Sequence, residues 1–239
     1  MAANPPSTPE RVSSYDGDEF DAHLALPDRG AGPGMVLLHE ALGVTDYTRS
    51  VAARLAGLGY VTIAPDLFWR IERNVDLPHD DSGMARALEL IGRFDPHAGV
   101  RDVEAALQYL WAKPEVEGPV GVIGFCFGGG LLYGAACELD PDCAVAYYGV
   151  GVELLAERIG EVTCPALLHF GTDDAFIPSD SLEKLQAVAR AMPNIEIEVH
   201  EGAGHAFDNP HADWHAPDAA TRAWDRTTSF LAAHLGPPR

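Results

Sequence analysis

Residues 119–130 read PVGVIGFCFGGG and place a cysteine at the centre of a glycine-flanked turn. The stretch predicts a short apolar strand, a tight reversal through Gly124-Phe125-Cys126-Phe127-Gly128, and a helix starting near Phe127. Glycines two positions either side of Cys126 let the backbone reverse sharply, so the central side chain projects from the turn. A thiol there ionises more readily than a hydroxyl, and a helix N-terminus behind it favours the thiolate. A cysteine nucleophile requires an imidazole to take its proton and an acid to orient that imidazole. His205 follows the run IEIEVH, and Asp173 and Asp174 follow PALLHF. Either aspartate can be the acid, and the other is then a turn residue. His200, His211 and His215 are weaker candidates for the base, while His39 and His169 sit at strand ends as core groups. Glu40 directly follows the apolar run GMVLLH. A carboxylate beside a nucleophile repels developing negative charge, so Glu40 implies a protonation switch on the thiol. The oxyanion donors expected are the backbone N–H groups of Ala41 and Phe127.

These residues need a frame that brings distant loops together, and the chain supplies one. Phe20, Ala22, Leu24 and Leu26 alternate as an edge strand, and residues 34–39, 60–64, 143–148 and 165–170 are short, mostly apolar runs. Ile195, Ile197 and Val199 alternate as a last strand. Helical spacing recurs between them, at Val51, Ala52, Leu55 and Leu58, at 84–91, at 100–110, at 131–138, from Ser179 or Asp180 to 191, and at 218–234. Strands alternating with helices give an α/β fold: one domain over 1–239 with a mostly parallel central sheet and helices on both faces. In such sheets reactive residues lie at the C-terminal ends of the strands, where Cys126, the aspartates and His205 all fall. Their chain order, nucleophile, acid, histidine, is the order of α/β-hydrolases. Residues 1–10 are read as a loose tail and 67–97, the least regular segment, as a cap over the site.

Composition narrows the function. The chain has 239 residues, 47% of them hydrophobic, enough for one large core. Acidic residues outnumber basic ones 36 to 16, for a net charge of −20, and they are scattered. This is a solvated acidic surface, compatible with salt adaptation, and it argues against nucleic acid and anionic membranes as partners. The four cysteines show no metal-ligand spacing, so no metal or other cofactor is expected. The first residues have no apolar h-region and no run is long enough to span a bilayer, so a cytoplasmic protein with reduced thiols is expected, as a monomer or small homo-oligomer.

The ensemble of His39-Glu40-x-x-Gly43, Pro65-Asp66-Leu67-Phe68, Gly124-x-Cys126-x-Gly128-Gly129, Tyr147-Tyr148-Gly149, Gly171-x-x-Asp174-x-x-Ile177-Pro178 and Gly204-His205-x-Phe207 resembles the dienelactone hydrolase family of α/β-hydrolases. The resemblance covers residues 34–208 and, by its spacing, selects Asp174 as the acid. It implies that Cys126 attacks a lactone or ester carbonyl, that His205 is the base oriented by Asp174, and that Glu40 holds the thiol quiet until substrate shifts it. The substrate it implies is an anionic enol-lactone, 4-carboxymethylenebut-2-en-4-olide, opened to maleylacetate, with its carboxylate bound by arginines. Arg70 matches one of these. Where the second is expected, four residues after His205, the chain has Asn209, which can donate a hydrogen bond but carries no charge. Trp69, Tyr148, Phe176 and Phe207 are further candidates for the pocket walls, with Phe68 and Phe127.

Two other readings remain open. The departure at Asn209 suits a general carboxylesterase or another lactonase. A thiol redox sensor or ligand-binding protein on the same scaffold would also use an exposed, acidic cysteine, but it has no use for both Asp174 and His205.

Overall fold

A single eight-stranded sheet forms the centre of the computed structural model, which describes residues 7–236. Its strands are β1 (Ser7–Ser13), β2 (Glu19–Ala25), β3 (Gly32–Leu38), β4 (Val61–Pro65), β5 (Val116–Phe125), β6 (Ala144–Tyr147), β7 (Ala166–Gly171) and β8 (Ile195–His200). The helices are α1 (Asp46–Gly57), α2 (Asp81–Ile91), α3 (Pro96–Ala112), α4 (Phe127–Glu138), α5 (Val152–Arg158), α6 (Ser179–Ala189) and α7 (Pro217–His234). The strand order is β1-β2-β4-β3-β5-β6-β7-β8, antiparallel at β1–β2 and β2–β4 and parallel from β4 to β8.

The expected α/β architecture is the one observed. Met35, Val36, Leu37 and Leu38 are all fully buried. Successive strand residues point to opposite faces, so such a run requires cover on both. From β3 the chain crosses first to β4 on one side and later to β5 on the other. That reversal makes a topological switch point at the C-terminal ends of β3 and β5, the place where this class of sheet holds its ligands. Local signals agree with the elements: Asp95 caps α3 by accepting from the N–H groups of His97 and Ala98, with Pro96 at the first helical position.

Two expectations at the N-terminus are corrected. Residues 1–6 of the expected tail lie outside the described residues, but 7–10 belong to β1, which pairs with β2 along seven positions. The strand holding Phe20 is therefore not an edge. β1 is, and its Pro9, Glu10 and Arg11 suit an edge that must not pair further. The helix α5 and the 3-10 turn at Ile159–Glu161 were not expected from the sequence.

Candidate active site

Strand β5 delivers Cys126 on a backbone of unusual shape. Its φ of +52° and ψ of −113° lie outside the regions L-residues normally occupy. The neighbouring glycines make that turn possible. A Cβ on Gly124 would stand 2.4 Å from the Gly128 carbonyl oxygen, and one on Gly128 would stand 2.4 Å from that of Leu38. The Gly128 N–H donates to the His39 carbonyl at 3.1 Å, seating the first turn of α4 on the end of β3. Tyr148, after β6, and Ala206, after β8, also have positive φ, 40° and 57°. The left-handed backbone thus gathers at three strand ends around one place.

His205 Nε2 lies 3.0 Å from Cys126 Sγ, and His205 Nδ1 lies 2.8 Å from Asp174 Oδ2. Asp174 Oδ1 accepts from the Phe176 N–H at 2.9 Å, which fixes the carboxylate. Asp174 is buried and bonded to His205, whereas Asp173 is exposed and bonded to Thr172. Burial alone would lower the basicity of His205. Its bonds to Asp174 and Cys126 outweigh this and raise its pKa to about 10. These contacts favour the imidazolium form of His205. The backbone N–H groups of Ala41 and Phe127 have no protein acceptor among the described residues, which leaves both available.

Glu40 is buried at the end of β3, with Oε1 3.1 Å from the Tyr148 hydroxyl and Oε2 accepting from Asn209 Nδ2 at 2.8 Å. Burial pushes its pKa up to about 7, against the opposing bonds from Asn209 and Tyr148 and the charge of His205. Its hydrogen bonds run to these two side chains, while Cys126 is engaged by His205. Behind Tyr148 lie Tyr47, from α1, and Asp208, which pairs with Arg54 at 3.0 Å.

Several expected pocket residues stand elsewhere. Arg70 is engaged away from the triad: its guanidinium is taken up by Asp102, Asp16 and Ser14, with the Asp102 contact at 2.9 Å. Asp102 needs the cation because it is itself buried in α3. Trp69 donates its indole N–H to the same Asp102 at 2.8 Å and packs against Phe20, so it too belongs to that cluster. Phe207 is fully buried, edge-on to Tyr148, and is core beneath the site rather than its wall. Phe68 stacks on Phe127 at 5.1 Å, and both are buried. Phe176 is about half exposed, 4.8 Å from the His205 ring, and stands at the rim with Trp214. Asn209 faces Glu40 and, at 3.1 Å, His79.

The sequence did not single out His79, Tyr47, Asp208 or Arg54. His79 comes from the expected cap segment, whose chain runs along the first active-site loop through Leu77 N–H to Leu42 and Val44 N–H to Val75, both 3.0 Å. Burial, then the charge of nearby His211, lowers the basicity of His79, so it brings no cation at neutral pH.

Residues 20–235 match the profile of the dienelactone hydrolase family. A carboxymethylenebutenolidase of Pseudomonas putida is 36% identical over 222 residues, covering 92% of this chain and 94% of the relative. Carboxymethylenebutenolidase 1 of Cupriavidus pinatubonensis is 32% identical over 222 residues, with the same coverage of 92% and 94%. Among solved structures, a Klebsiella pneumoniae protein described as a candidate dienelactone hydrolase superposes with a TM-score of 0.84. It is 26% identical and covers 95% of this chain and 98% of its own.

Proposed function

The chain belongs to the dienelactone hydrolase family and is a hydrolase of ester or lactone bonds, and from that premise we propose that it opens a small lactone by attack of Cys126. The observation that carries the proposal is the unbroken line Asp174–His205–Cys126, with spacings of 2.8 and 3.0 Å. The His205-paired thiolate attacks the carbonyl carbon, and the N–H groups of Ala41 and Phe127 receive the oxygen as it gains charge. His205, holding the proton, gives it to the departing alkoxide or enolate, which frees the ring oxygen and leaves a thioester. Water, deprotonated by His205, then hydrolyses the thioester and restores the cysteine. The family relatives' names make dienelactone the first substrate to assign, and reduced cysteines suit the expected cytoplasmic setting.

One observation favours a second reading, a neutral ester or lactone. The arginine expected to bind a substrate carboxylate is committed to Asp102, and Asn209 is committed to Glu40. A neutral His79 does not replace them. The test is hydrolysis of cis- and trans-dienelactone beside short neutral aryl esters, by wild type and Cys126→Ala. Cysteine-dependent turnover preferring dienelactone supports the first reading, and turnover of neutral esters alone supports the second. Activity in Cys126→Ala near wild type overturns both.

A further inference from the structure

Three polar contacts run in line from Glu40 into the interior. Glu40 Oε1 lies 3.1 Å from the Tyr148 hydroxyl, which lies 3.2 Å from the Tyr47 hydroxyl, which lies 2.8 Å from Asp208 Oδ2. Arg54 Nη1 reaches the same Oδ2 at 3.0 Å. Glu40, Tyr148, Tyr47 and Asp208 are all buried. Arg54 closes the outer end, lying over the Trp224 ring at 3.7 Å.

The direction of this chain follows from counting protons. Each phenol brings one proton, so the two phenols can supply two of the three contacts. Asp208, held against the Arg54 cation, only accepts, so Tyr47 gives its proton there. The Tyr47 oxygen is then left to accept from Tyr148. For all three contacts to be hydrogen bonds at once, the Tyr148 oxygen must then accept from Glu40, the reverse of the donation an ionised carboxylate would receive. The third proton has to be the carboxyl's own. Asn209 is compatible with this, because its Nδ2 donates to Oε2 and leaves Oε1 to carry the proton. If Glu40 is ionised instead, Tyr148 turns its proton back to Oε1. The two phenol oxygens then face each other across 3.2 Å with no proton between them, in a buried site where an unmade hydrogen bond is costly.

We infer that Asp208, acting through Tyr47 and Tyr148, is a positioning residue that fixes a proton on Glu40 Oε1 and so keeps this active-site carboxyl neutral. The charged and titratable groups around Glu40 divide by sign. Asp208 opposes its ionisation, and His205 favours it from the triad. His79, with the His211 ring tilted beside it at 5.4 Å, stands beyond Asn209. A neutral Glu40 places no second negative charge near the carbonyl oxygen during attack, and only this consequence rests on the proposed hydrolase mechanism.

The experiment is infrared difference spectroscopy of the intact chain without substrate, following the protonated-carboxyl band from about pH 4 to about pH 9, with Glu40→Gln assigning the band. In wild type the band should persist to near neutral pH. Tyr47→Phe removes the middle acceptor, so Tyr148 donates to Glu40 uncontested, and the midpoint should fall by about one pH unit. Tyr148→Phe removes both the acceptor of the Glu40 proton and the donor to its ionised form, so its midpoint should stay within about half a pH unit of wild type. Loss of packing alone would not separate the two Tyr→Phe changes in this way. A wild-type midpoint in the ordinary carboxylate range overturns the inference, as does a Tyr47→Phe shift that is absent or upward. Because the Glu40 titration needs no turnover, its failure is separable from failure of the hydrolase reading.

Discussion

Asn209 donates its side-chain amide to Glu40 Oε2 at 2.8 Å, so the residue standing where the family resemblance expects a substrate-binding arginine is turned onto an active-site carboxyl instead. The substitution thus changes two things together. It removes a cation from the site and it supplies a neutral partner to a buried acid. Asn209→Arg should therefore test substrate charge directly. With the dienelactone anion, KM is expected to fall several-fold, while KM for a neutral aryl ester stays within about twofold. An equal effect on both substrates would show that position 209 acts through Glu40 alone.

Cys126→Ala should lower kcat by at least about a thousandfold, and thermal unfolding should show the fold retained. Cys126→Ser is expected to be nearly as inactive, because a hydroxyl paired with the same imidazole remains protonated. Burst kinetics on an activated ester would detect the thioester in wild type and its absence in both variants.

Asp174→Asn should leave Cys126 in place but weaken its activation. The pH at which iodoacetamide alkylates Cys126 should move upward, and kcat should fall by roughly 10² to 10⁴. An unchanged alkylation profile would show that Asp174 does not sustain the His205–Cys126 pair.

Arg70→Ala should act on stability rather than on binding. It leaves Asp102 buried without its cation, at a cost of about 3 kcal/mol in urea unfolding, with KM for dienelactone changed less than about twofold. A tenfold rise in KM at wild-type stability would return Arg70 to the substrate site.

Glu40 gives a pH dependence whose sign is fixed by its raised pKa. The folded state keeps the proton up to about 7, whereas the unfolded chain releases it near 4.5. Between these values the folded state binds more protons, so stability should fall as pH rises, by about 3 kcal/mol in all. Glu40→Gln should remove the Glu40 share of this slope and leave that of Asp66, whose pKa burial raises to about 6. Urea unfolding of both proteins below and above that window checks it, and parallel curves would contradict it.

What the sequence made legible was whatever depends on strand ends. Cys126 and Asp174 follow short apolar runs and His205 follows an alternating one, and a parallel sheet brings such positions together whatever lies between them. The helices announced themselves by spacing, although α5 is too short to carry a period. Illegible were the features decided by distant partners. Arg70 has the right spacing from Asp66, but its direction is set by Asp102 and Ser14, 32 and 56 residues away. β1 shows one strongly buried apolar residue, Val12, and only pairing with β2 makes it a strand. Tyr47 and Asp208 are 161 residues apart, and neither segment hints at the other.

The positive φ angles at Cys126, Tyr148 and Ala206 carry a consequence for anyone seeking a hardier version of this protein. Each such residue costs on the order of 1–3 kcal/mol of folding free energy, and glycine would release part of it. A screen for heat resistance alone would therefore be drawn to these positions, and at residue 126 it would select a sturdier protein with no nucleophile. Selection for thermostability here has to be coupled to a selection for turnover.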